Sequence, residues 1–170
     1  MRPRSSRAPG GATRAVALLR PARRDQMHAV PGADPKSAAD AGSRELETAL
    51  AVYVRQVAER IGVPSDAVTH EVTDTATAYI GLTARVAALP LRDLMLVWDE
   101  RLGWSIAIEP CGNDQPPVIC HLGAEIAPAP ASVARFVSDV VGGHRYGGGG
   151  PTPTRIDRSA LAGRMVARPA

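Results

Sequence analysis

Cys120-His121 sets a thiol beside an imidazole, the two groups that a nucleophile and its general base require. In an extended segment, however, adjacent side chains point to opposite faces, so these two cannot act on each other. Cys120 alternates with Val118 and Leu122, the pattern of an inward, inert thiol, and His121 falls on the other, wetter face. Asp99-Glu100-Arg101 offers paired carboxylates for acid–base work. Acidic residues at a hairpin turn are usually just solvated, and a local ion pair with Arg101 would contribute under ~1 kcal/mol. Catalysis there needs Glu71, His70 or His121 brought to the same face. Trp98 and Trp104 flank this turn in a chain with only six aromatics. They form either a cross-strand pair that fixes the register or an exposed anchor for a partner. Trp98 shares its face with Leu94 and Leu96, and Trp104 with Ile106 and Ile108, which favours core packing.

Other chemistries lack their spacing. Two cysteines cannot build a disulfide framework, and nothing marks the chain as exported, so reduced thiols are expected. A set of Cys111, Cys120, His70 and His121 has no recognised metal spacing. Gly147–Gly150 is not followed by the Gly-Lys-Ser/Thr of a phosphate loop. No catalytic residue, metal or cofactor is therefore assigned.

The elements that must position these residues lie between 43 and 142. Leu46, Leu50, Tyr53, Val57 and Ile61 recur at helical steps, widened by Val54 and Ala58, with Ser43 as the predicted N-cap and Gly62-Val63-Pro64 as the stop. Val68, His70 and Val72 alternate with polar residues; a short gap leads to Thr77–Leu82, which predicts a hairpin. Leu94–Asp99 and Trp104–Glu109 form a second hairpin, with Gly103 as its left-handed residue. Val118–Leu122 supplies a fifth strand. Pro130 fits the first position of a last helix whose stripe is Val133, Phe136, Val137, Val140 and Val141, ending at Gly142-Gly143. Together these elements predict an α+β, two-layer sandwich: an antiparallel meander of about five strands flanked by an N-terminal and a C-terminal helix. No apolar run approaches the ~18 residues of a membrane span.

Charge separates this body from its ends. Residues 43–142 hold seven arginines against thirteen acids, a net −6, whereas residues 1–42 carry +5 and residues 143–170 carry +4. Phosphates repel the acidic body, so nucleic acid is excluded as its partner, and only the ends could neutralise a backbone. Residues 1–42 and 143–170 are expected to be disordered tails around one domain of residues 43–142, with a helical turn or two at 159–166. The sole lysine, Lys36, against nineteen arginines suggests GC-rich coding.

The runs Tyr53–Pro64, Asp74–Leu82, Arg92–Trp104, Leu122–Pro128 and Val133–Val137 resemble an uncharacterised actinobacterial family, a domain of unknown function. The Trp98-Asp-Glu-Arg-x-Gly-Trp104 block is the most specific part. The resemblance covers about residues 46–142 and implies a bacterial, cytoplasmic protein; it brings no activity and no catalytic residues. The expected function is non-enzymatic binding of a protein or peptide, with a homodimer as one form, through Trp98, Asp99, Glu100, Arg101 and Trp104. An alternative is a small hydrolase-like enzyme using Asp99, Glu100 and His121. A third is nucleic-acid association through the arginine-rich tails.

Overall fold

The computed structural model describes residues 35–110, 115–123, 125–144 and 150–167. Residues 1–34 and Cys111, for which a tail and a metal or disulfide role were weighed, lie outside the described residues.

Helix α1 (Pro35–Ile61) begins eight residues before the expected cap. Ala38, Ala39 and Ala41 are strong helix formers, so the helix runs on past the apolar stripe toward the N-terminus. Ser43 is consequently an interior residue whose hydroxyl donates to the Ala39 carbonyl, 3.0 Å away. The stop is as expected. Gly62 adopts φ 74°, and the Val63 amide returns to the Ala58 carbonyl at 2.9 Å, closing the left-handed cap.

A 3₁₀ turn at Ser65–Ala67 leads into five strands: β1 (Val68–Val72), β2 (Ala76–Leu82), β3 (Leu94–Asp99), β4 (Gly103–Ile108) and β5 (Val118–His121). They pair antiparallel in chain order, so the sheet is a meander with β1 and β5 at its edges. Strict alternation along β2 and β3 puts Ala76, Ala78, Ile80, Leu82, Leu94, Leu96 and Trp98 on the buried face. The register sets Trp98 directly opposite Trp104, and Leu96 opposite Ile106. A bulge in the β4–β5 pairing lies between Ile106 and Ala107.

Helix α2 (Pro130–Val141) starts on its proline and buries Val133, Phe136, Val137 and Val140. Helix α3 (Arg158–Val166) follows, with Asp157 as its N-cap: the Asp157 carboxylate accepts the Ala160 amide at 2.9 Å. Leu161, Ala162 and Met165 on α3 join Leu46, Leu50, Tyr53 and Val54 of α1, the α2 stripe and the inward sheet residues in one core cluster. The folded region therefore extends beyond residue 142. The turn or two expected at 159–166 is a nine-residue helix, because its three apolar residues find a face on α1 to cover. No helix among the described residues is long and apolar enough to cross a membrane.

Candidate functional site

The β3–β4 turn carries the acidic block, and each acid there has a partner. The Asp99 side chain accepts the amides of Arg101 at 2.7 Å and Leu102 at 3.1 Å, which holds the turn closed. Gly103 completes it at φ 71°, where a Cβ would lie 3.0 Å from the Glu125 carbonyl oxygen, so any other residue is strained there. Glu100 receives a two-pronged bond from the Arg158 guanidinium, Nε at 3.0 Å and Nη2 at 3.1 Å. Both side chains are mostly buried, 22% and 12% exposed, a setting in which a fork-to-carboxylate bond is strong and directional. The same guanidinium donates from Nη1 to Ser43 Oγ and from Nη2 to the Thr73 carbonyl, each at 2.9 Å. Arg158 thus ties α3 to the β3–β4 turn, to α1 and to the β1–β2 turn. Arg101 is exposed, and its carbonyl accepts the Thr154 amide at 3.0 Å. A polar cleft of about 630 Å³ opens here, walled by Asp74, Glu100, Arg101, Arg155, Asp157 and Arg158.

The two indoles lie away from this surface. Trp98 and Trp104 are fully buried, so of the five candidate binding residues only Glu100 and Arg101 line the cleft, while Asp99 is spent on the turn amides. The physical reason is the register: residues opposite each other on the helix side of the sheet are pressed under α1 and the segment before α2. Trp98 Nε1 donates to the Ile126 carbonyl at 2.7 Å. Trp104 Nε1 donates to the Tyr53 hydroxyl at 2.9 Å, and that hydroxyl donates to the Pro128 carbonyl at 2.7 Å. The Tyr53 and Trp104 rings meet at 6.1 Å and 49°. This relay fastens α1, β4 and the approach to α2.

The remaining titratable groups are spread out. Cys120 is buried on the helix side, and burial pushes its thiol up, against a weaker opposing effect of a backbone hydrogen bond from Ile106. A protonated thiol is a poor nucleophile. His121 lies on the opposite face, paired with Ser105, two strands from Asp99, or about 10 Å across the sheet. Its Nδ1 is buried without a hydrogen-bond partner among the described residues, and a Cβ on Gly150 would lie 3.5 Å from Nε2. His70 is on β1 and Cys120 on β5, four strand spacings apart, about 19 Å. Among the described residues no three His, Cys, Asp or Glu side chains gather as a metal site would require. Glu71 does share the outer face with Asp99, but Thr77 stands between them and donates to the Glu71 carboxylate at 3.4 Å.

The β5 end of that outer face is a second candidate surface. All three helices pack with the inward side chains, but the outward rows are not open either: Ser105 and Ala107 are buried, as is His121 Nδ1, and only their β5 end lies in water. One row runs Tyr79, Val97, Ser105, His121; the next runs Gly81, Met95, Ala107, Val118. The rows end on the β5 edge, where Val118 and Ile119 are 49% and 40% exposed. The other edge, β1, presents Thr69, His70 and Glu71 instead.

The sequence reading missed Arg158 and the outer rows. Arg158 was legible only as one cation in a Gly/Pro-rich stretch, although Asp157 followed by Leu161, Ala162 and Met165 is a helix-start signal. The outer rows were visible as alternation, but which strands lie side by side was not.

A family of unknown function, DUF6292, matches residues 53–139, half of the chain. The chain belongs to this family. The DUF6292 match runs from the last third of α1 into the final turn of α2, so it holds the whole sheet and the Trp98–Trp104 hairpin. The first two-thirds of α1 and all of α3 fall outside it. No curated protein and no solved structure matches the chain.

Proposed function

We propose that this DUF6292 chain is a non-enzymatic module that binds a protein or peptide, a second copy of the chain included. The observation that supports it is the β5 edge of the sheet. An edge strand whose Val118 and Ile119 stay in water is suited to an extended segment pairing along it. Pro116 and Pro117 precede β5 and limit the pairing to a few residues. Asp99 and Glu100, the candidate acids of the enzymatic alternative, are engaged in closing a turn and holding α3, which favours binding over catalysis. Arginine in place of lysine and a free, buried Cys120 fit an actinobacterial protein in the reducing cytoplasm, with Trp98-Asp-Glu-Arg-x-Gly-Trp104 as the hairpin signature of its relatives.

The test compares the wild type with a Val118→Lys/Ile119→Lys variant. Both are used to capture partners from a lysate of the source organism, with quantitative mass spectrometry and a melting curve for each. The variant should melt like the wild type and lose specific partners or self-association. Identical captured sets and identical oligomeric state would overturn the β5 edge as the binding surface.

A further inference from the structure

Three arginines and three acids wall the polar cleft at the β3–β4 turn, so its formal charge is zero, but they do not all answer one another. Arg158 and Glu100 form their two-pronged pair, and the Asp157 carboxylate is turned to the Ala160 amide in the α3 cap. Arg101, Arg155 and Asp74 are left over: among the described residues none of their side chains makes an ion pair or a hydrogen bond. The backbone keeps the two spare arginines together. The Thr154 amide donates to the Arg101 carbonyl at 3.0 Å, so the segment that carries Arg155 runs against the turn that carries Arg101.

Two like charges on the wall of one cavity repel each other, and such an arrangement gains from a dianion between them. A guanidinium offers paired N–H donors that match the oxygens of a phosphate. Asp74, in the β1–β2 turn, can only accept, so it calls for a ligand that also carries hydroxyl groups. The cavity of about 630 Å³ falls within the ~300–1,000 Å³ of small-molecule sites and is far larger than a bare oxyanion. The body around it is acidic, net −6 over residues 43–142, which repels a chain of phosphates more than a single phosphate group held by two arginines.

We propose that this cleft binds a small sugar phosphate, with Arg101 and Arg155 clamping the phosphate and Asp74 accepting from the sugar hydroxyls. Arg158 stays on Glu100 and serves as a fixed wall between the two ends of the ligand's site. Arg155 lies beyond the residues that the family match covers, so the C-terminal segment of this chain completes the site. The cleft is separate from the β5 edge, and either can fail without the other.

The probe is ribose 5-phosphate, titrated by calorimetry into the full chain at an ionic strength held constant with chloride. It should bind saturably with a Kd at or below ~1 mM. An Arg101→Gln/Arg155→Gln variant should melt like the wild type, because neither side chain bonds to the body, and should bind the probe at least ~10-fold more weakly. Asp74→Asn should weaken ribose 5-phosphate at least ~3-fold and leave inorganic phosphate unchanged. No saturable binding overturns the proposal, as does binding that the double variant retains. Inorganic phosphate binding as tightly as ribose 5-phosphate overturns it too, since the site would then hold an oxyanion only. Amide shifts in the NMR spectrum of the wild type give a readout that needs no variant. On addition of the probe they should centre on residues 73–74, 100–101 and 154–159, and shifts centred elsewhere refute the cleft as the site.

Discussion

Tyr53 is the residue on which the hydrogen bonding of the core converges. Its hydroxyl accepts from the Trp104 indole and donates to the Pro128 carbonyl, all in a region without water access. Tyr53→Phe keeps the ring and strands both partners, and a buried unmatched group costs ~1–3 kcal/mol. Urea denaturation should show a loss of about 2 kcal/mol or more for Tyr53→Phe. Trp98→Ala and Trp104→Ala should each cost ~3–5 kcal/mol and lower the melting temperature strongly. Gly103→Ala meets both a left-handed backbone and the Glu125 carbonyl at 3.0 Å, so a loss of about 2 kcal/mol is expected in the same assay. Cys120 has a raised pKa in the folded state. Its stabilising contribution is therefore complete below the ordinary thiol value of 9.0 and is lost as pH rises through the raised one. In a Cys111→Ser background, Cys120 should react with a thiol reagent at pH 8 only as fast as the protein opens, and immediate labelling of folded protein would contradict its burial.

At the scale of elements, the molecule is a meander clasped to its helices by two different devices. The apolar stripe of α1 and α2 covers the inward sheet face, a non-directional contribution that tolerates small shifts. The Arg158–Glu100 pair is directional and joins four elements at one guanidinium. Both side chains are under a quarter exposed, so the pair should be coupled by about 1–2 kcal/mol. A double-mutant cycle of Glu100→Gln and Arg158→Gln, read by thermal or urea unfolding, measures that coupling; additive effects would show that the pair is only a surface contact. The strands and α2 were legible in the sequence because burial on one side imposes a period of two or of 3.6. The extra turns of α1 and the docking of α3 were not. Ala38–Ala41 carry no apolar stripe, and Leu161 and Met165 look like scattered apolar residues until α1 is there to receive them.

For the whole molecule, charge and surface are divided by region. The span 43–142 is net −6, and seven arginines fall within residues 1–24. Any affinity of the full chain for duplex DNA, measured by anisotropy at ~0.15 M salt, should vanish when those seven, together with Arg145, Arg155, Arg164 and Arg168 at the other end, are changed to glutamine. Binding that persists would place a phosphate-contacting surface on the acidic body. The sequence by itself determined the α+β class, the order of five strands, the Gly62 stop and the Gly103 turn, and it favoured, without deciding, the inward facing of both tryptophans. Each of these follows from local periodicity or from a backbone angle that one residue type must satisfy. Only the tertiary structure decided that Asp99 and Glu100 are engaged in a turn and a latch, that Arg158 reaches Ser43 across 115 residues of chain, and that the outer rows end on an exposed edge. Those facts depend on which distant segments meet, and sequence separation carries no record of that until the core has brought them together.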